Sequence, residues 1–313
     1  MQELREPAGL AGNVAILSHS GGLCVGLLTD TRRFGFSHIV ASGNEVTVSA
    51  AAFLEYLLED PHTAIIGGFI EAIREPERFA AALNRAAALG KPVVMVKVGR
   101  HERTRRAITS HTGGDADDPA AVSALLRAHG AIEVADIVEL AETLAAFQTA
   151  QPPAGRRLAV ITSSGGLAEL ILDVAAEIGI ELPPLSPVQK AQIKAEIGFV
   201  TGDGNPLDAW GSGTFAANLP LALKLFDASP VHDVIAFVRD NFDDQPLDAP
   251  ESARSYIDTA AARRSPKPHY LLTSRPGVVD RALVGVLREH GVAAVGGFRE
   301  GLMAIDRLVR NAK

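Results

Sequence analysis

The sequence predicts an α/β protein of two tandem flavodoxin-like domains, each a parallel sheet covered by helices on both faces. Three observations carry this. Short, near-continuous apolar runs alternate with amphipathic segments, the pattern of buried parallel strands between surface helices. The 313 residues give length for two domains of ordinary size. Finally, the chain echoes itself: VAILSHSGGL at 14–23 aligns without a gap to LAVITSSGGL at 158–167. Each copy reads as strand, hydroxyl-rich turn, Gly-Gly and helix.

In order, residues 13–17 form an apolar strand and 22–34 a helix. Residues 37–41 are strand-like, 49–58 helical, 63–70 a buried strand, 77–89 a helix and 92–98 another strand. A long loop is expected over 99–118, then a helix at 119–129, a brief strand near Ile132 and a helix at 136–147. The turn-rich break QPPAG at 151–155 divides the chain into domains 1–150 and 151–313. Beyond it, strands are expected at 158–162, 233–238 and 269–273. Helices are expected at 167–178, 187–197, 218–228, 250–263, 278–290 and 299–310.

Apolar residues make up 47%, charged residues 21% and aromatics only 5%, so the core is built from Ala, Val, Leu and Ile. A net charge of -7 argues against a nucleic-acid partner, which needs a concentrated basic face. The arginine-rich stretch 100–106 reads as a solvated loop. The single cysteine, Cys24, rules out a disulfide within the chain and reads as a small buried hydrophobe. No apolar run approaches the ~18 residues that span a bilayer, and the polar start is unlike a secretory signal. No membrane association and a cytoplasmic location are expected. No metal site is expected, because no His/Cys/Asp cluster has ligand spacing. Asp115, Asp117 and Asp118 lack the other ligands of a calcium loop.

The repeated turn has a chemical use. A helix start leaves backbone N–H groups without partners and carries about half a positive charge. Glycine lets the backbone approach an anion, and hydroxyls add donors. Ser18, Ser20, Gly21 and Gly22 therefore form one candidate phosphate cradle, and Thr162, Ser164, Gly165 and Gly166 a second. For either turn alone, helix capping and packing explain the residues equally well. Neither has the spacing of a Walker or dinucleotide motif.

Of nine histidines, His111 stands out, in TSHTGG at 109–114 within the expected long loop. A neutral imidazole attacks activated phosphoryl groups, and a carboxylate fixes its tautomer. Glu71, directly after the strand ending at Ile70, shares that sheet edge. On the residues alone, a surface-loop histidine and a catalytic one both fit. His19, inside the first turn, reads as an anion donor rather than a nucleophile.

These residues make the chain resemble the NDP-forming acyl-CoA synthetases, relatives of succinyl-CoA synthetase. The carrying segments are GNVAILSHSGG (12–22), ASGN (41–44), LEYLLEDP (54–61), Glu71, KPVVMVKV (91–98), SHTG (110–113), 158–166 and GNPLD (204–208), in that order. The resemblance implies an acid–CoA ligase working through an acyl phosphate and a phosphohistidine, with His111 as the phosphorylated residue and Glu71 orienting it. It implies CoA and ATP/ADP as substrates, Mg2+ arriving with the nucleotide, and no cofactor tightly bound to this chain. Asn205 and Asp208 match a motif that is either structural or ligand-proximal.

The sequence also departs from the family pattern. Only a dozen residues precede the first turn, where a CoA-binding domain is usual, and no ATP-grasp domain follows Lys313. GDADD at 114–118 replaces a run of small residues, and His19 stands where glutamine is frequent. The chain is thus expected to be a fragment, or to work with separate ATP-grasp and CoA-binding partners on a carboxylic acid or acyl phosphate, with a homo-oligomer open. The alternatives are a non-catalytic regulatory or binding module, or a related acyl or carbamoyl transfer protein.

Overall fold

The computed structural model describes residues 11–29, 34–112, 118–149, 153–211, 214–240, 266–277 and 281–311. The expected helix at 250–263 and part of the turn-rich break lie outside them. The chain divides into two compact units, 1–144 and 145–313.

The first unit runs β1 (Ala11–Ser18), α1 (Gly21–Thr29), β2 (Phe36–Ala41), α2 (Ala50–Glu59), β3 (Ile65–Ile70), α3 (Pro76–Ala88) and β4 (Val93–Lys97). It continues with α4 (Glu102–Thr112), α5 (Pro119–Ala128), β5 (Ile132–Val134) and α6 (Ile137–Thr149). The five strands are parallel in the order β2-β1-β3-β4-β5. That is the flavodoxin order, with a topological switch point between β1 and β3. Alternation along β1 sorts the two faces: Ala15 and Leu17 join the core formed with Leu54, Leu57, Phe79 and Leu126. On the other face, Ile16 and Leu144 close over Gly67, whose lack of a side chain makes room for both.

The second unit runs β6 (Leu158–Thr162), α7 (Gly165–Ile178), α8 (Pro187–Ile197), β7 (Leu207–Asp208), α9 (Phe215–Ala228), β8 (Val234–Val238), β9 (His269–Thr273), α10 (Arg281–Glu289), β10 (Val292–Gly296) and α11 (Phe298–Asn311). Its parallel sheet, β7-β6-β8-β9-β10, repeats the order of the first. Helices cover both faces, with Phe226 and Leu287 in one core and Leu302 and Ile305 in the other. The sequence echo is structural as well: β1 ends at Ser18 and α1 starts at Gly21, while β6 ends at Thr162 and α7 starts at Gly165.

The expected loop at 99–118 needs correction, because most of it is α4. This helix has no apolar stripe to betray it; Ile108 is its one buried position in 102–110. It forms from strong helix formers, an acidic first turn at Glu102 and the Glu102–Arg106 ion pair one turn apart. His111 is therefore a residue of a helical last turn rather than of a loop. The strands β7 and β10 also escape the sequence reading.

Candidate functional site

Ser18, His19 and Ser20 leave the carboxyl end of β1 beside Phe69 of β3, at the switch point of the first sheet. The Ser18 hydroxyl donates to the Ser20 carbonyl (2.9 Å) and accepts from the Ser20 N–H (3.0 Å). Ser20 Oγ accepts from the Leu23 N–H (3.3 Å), the bond of an N-cap. This turn is locked by its own hydroxyls.

Its counterpart in the second unit is not. Ser164 precedes α7 in extended conformation and makes no side-chain cap bond. The Thr162 hydroxyl is buried with no hydrogen-bond partner among the described residues. Asp208 lies beside this helix start: its Oδ2 is 3.7 Å from where a Gly165 Cβ would stand, and its Oδ1 accepts from the Trp210 N–H (3.0 Å).

The glycines of the two turns are not required by the local structure. Gly21, Gly22, Gly165 and Gly166 are not among the residues with positive φ, so their backbone does not demand glycine. A Cβ at Gly21 would meet nothing within 4 Å, and one at Gly22 only Ser20 Oγ at 3.9 Å. One at Gly166 would meet only Ser164 Oγ, at 4.0 Å. Close helix–strand packing does not require them either. What they provide is a helix start open to an approaching anion.

Glu71 follows β3 directly and is half-buried. Its N–H donates to His19 Nδ1 (3.1 Å), and its carbonyl accepts from Lys97 Nζ (2.6 Å). Lys97 is 2% exposed and also donates to the Val98 carbonyl at 2.7 Å. His19 Nε2 lies 2.7 Å from Glu45 Oε1, an approach off the N–H axis, so a close polar contact rather than an aligned hydrogen bond. Ser18, Ser20, His19 and Glu71 thus share one sheet edge. His111 is placed by its backbone alone, in the last turn of α4 after β4; its ring lies outside the described side chains.

Sequence reasoning passed over Glu45 and Lys97, and left Asp208 between a structural and a ligand-proximal role. Of the two missed residues, Lys97 left a signal, as a cation closing an otherwise apolar strand. Cys24 is free and buried, and burial pushes its thiol pKa up, which suits a packing residue rather than a nucleophile. Among the described residues no group of three metal-ligating side chains converges, and no helix is long and apolar enough to cross a membrane.

Comparison with known proteins places these features. The family model of the succinyl-CoA ligase-like flavodoxin domain matches residues 11–147. A trans-feruloyl-CoA synthase from an unknown prokaryotic organism is 33% identical over 208 residues, 64% of this chain and 29% of that protein. The alpha subunit of an ADP-forming acetate–CoA ligase I from Pyrococcus furiosus is 30% identical over 175 residues, 55% of this chain and 38% of its own. The chain spans about a third of the length of such relatives. Among solved structures, a dinucleotide forming acetyl-coenzyme A synthetase 1 from Ca. Korarchaeum cryptofilum, in complex with phosphate and ADP, superposes with a TM-score of 0.78 at 24% identity. That match covers 97% of this chain and 66% of the other, and it establishes the fold.

Proposed function

We propose that this chain, whose residues 11–147 match the succinyl-CoA ligase-like flavodoxin domain, is the phosphoryl-relay core of an NDP-forming acid–CoA ligase. In this reading an imidazole nitrogen of His111 attacks the phosphorus of an acyl phosphate. The N–P bond forms, the bond from phosphorus to the acyl oxygen breaks, and the carboxylate leaves. The phosphoryl group then passes to a nucleoside diphosphate in a partner active site; every step is reversible. Glu71 orients the imidazole and stabilises its charge. Each helix start, Ser18–Gly22 in the first unit and Thr162–Gly166 in the second, serves as a phosphate cradle, its free N–H groups and about half a positive charge suiting a phosphoryl group.

ATP-grasp and CoA-binding parts, on the same or separate polypeptides, supply the nucleotide with its Mg2+ and the thiol. The acyl part of the carboxylic acid is bound largely by side chains other than these. The observation that carries the reading is the set of four glycines, which leave both helix starts open without serving backbone conformation or packing.

The test is incubation with γ-labelled ATP and the ATP-grasp-bearing partner of the complete enzyme. Wild-type chain is expected to take up acid-labile, alkali-stable label, and His111→Ala to take up none. Label of that kind surviving His111→Ala overturns the assignment.

A further inference from the structure

Beside the first anion turn lies a buried pair of side chains that the relay leaves unused. His19 is only 7% exposed and Glu45 1%. Because His19 Nδ1 accepts from the Glu71 N–H, the ring proton sits on Nε2, on the side of Glu45. Glu45 is itself held: its Oε1 accepts from the Ala50 N–H at 2.9 Å, and its backbone adopts a left-handed φ of 52°. Arg74 Nε stands 3.9 Å from its other oxygen.

Glu71 needs such help. It lies one residue beyond β3, and the ladder has already closed with His19 N–H on the Phe69 carbonyl and Val98 N–H on the Ile70 carbonyl. The Glu71 N–H and carbonyl are instead taken by side chains, His19 on one side and Lys97 on the other. With both flanking peptide groups tied, the direction of its Cα–Cβ bond is set.

We propose that His19, steadied by Glu45, is a positioning residue that with Lys97 clamps the main chain of Glu71 and so aims its carboxylate at the phosphoryl-accepting imidazole. This rests on the role given to Glu71 above. The chemistry asked of His19 is acceptance of one hydrogen bond, so asparagine, whose Oδ1 stands where Nδ1 does, replaces it. Leucine fills similar volume and accepts nothing.

The experiment uses the full chain labelled with nitrogen-15. Amide exchange at Glu71 is expected to be about tenfold faster in His19→Leu, the loss of one hydrogen bond, and near wild type in His19→Asn. The Ile66 amide, bonded within the sheet to the Pro92 carbonyl at 2.9 Å, serves as the unchanged reference. Phosphorylation of His111 from labelled ATP with the ATP-grasp partner is expected to slow in the same order, with the nucleotide KM unaltered. Should His19→Leu fail to fold, His19→Ala, which also offers no acceptor, gives the same contrast with His19→Asn. Unchanged Glu71 exchange in the variant without an acceptor overturns the clamp. Faster exchange with undiminished phosphorylation overturns the positioning role. Wild-type chain that takes up no label at His111 overturns the relay reading instead, and the exchange data then stand apart from that failure.

Discussion

Replacing Asn205 with leucine tests how the second sheet is held at its short edge. β7 contributes only Leu207 and Asp208, paired with Ile161 and Thr162, so the earlier part of β6 has no strand on that side. The Asn205 side chain takes the missing place. Its Oδ1 accepts from the Val160 N–H (2.9 Å), and its Nδ2 donates to the carbonyls of Leu158 (2.8 Å) and Pro183 (2.9 Å). Asn205 is 3% exposed, so leucine would strand a buried donor and two acceptors out of reach of water. At about 1–3 kcal/mol for each unsatisfied group, with partial relaxation, the cost is roughly 3–5 kcal/mol. In a unit of this size that lowers Tm by roughly 10 °C or more. Calorimetry reads the midpoint, and amide exchange at Val160 reads the site. A fall below about 3 °C with unchanged Val160 exchange would refute the view of this side chain as a strand substitute.

Three further outcomes follow from the geometry. Thr162→Val removes a buried hydroxyl that has no partner among the described residues, so stability should hold within about 0.5 kcal/mol or rise, while thermal stabilisation by added phosphate should weaken. Arg157→Gln breaks the paired bonds to Asp233 (2.9 and 2.8 Å) that hold this carboxyl below its usual pKa. A depressed folded pKa contributes stability above about pH 4, so wild type should lead the variant at neutral pH and the gap should close as acid titrates Asp233. Urea titrations at pH 7 and pH 3 measure it; a gap that widens in acid contradicts the assignment. Gly12→Ala drives a Cβ into the Gly35 backbone where β1 and β2 converge, and Gly68→Ala meets the movable Met95 side chain. The first should destabilise more than the ~1–3 kcal/mol expected of the second, as compared by urea midpoints.

Much of the architecture was legible because burial writes itself into composition. Parallel strands such as 158–162 are apolar throughout, and the doubled SGG turn announced two sheets of like construction. The failures have local causes. The helix at 102–112 lies almost wholly in water through residue 110, so no apolar periodicity marks it. β10 is rich in alanine, a weak strand former, and β7 is two residues long. At the site, sequence order gave the edge shared by Ser18 and Glu71 but not the side chains that fix it. Glu45 meets His19 from a left-handed backbone, a conformation that glutamate does not advertise. The Gly-Asn-Pro motif left a structural role and a ligand-proximal one open, and the three bonds of Asn205 give it a structural one.

The matching boundaries of the two strand–turn–helix openings make them interchangeable cassettes. Since strand end and helix start fall at the same place in both, ten residues can be traded between positions 14–23 and 158–167 without altering chain length. A transplanted opening that behaved like its donor would trace the contrast between a self-locked and an idle turn to those ten residues; one that behaved like its host would trace it to the surrounding sheet.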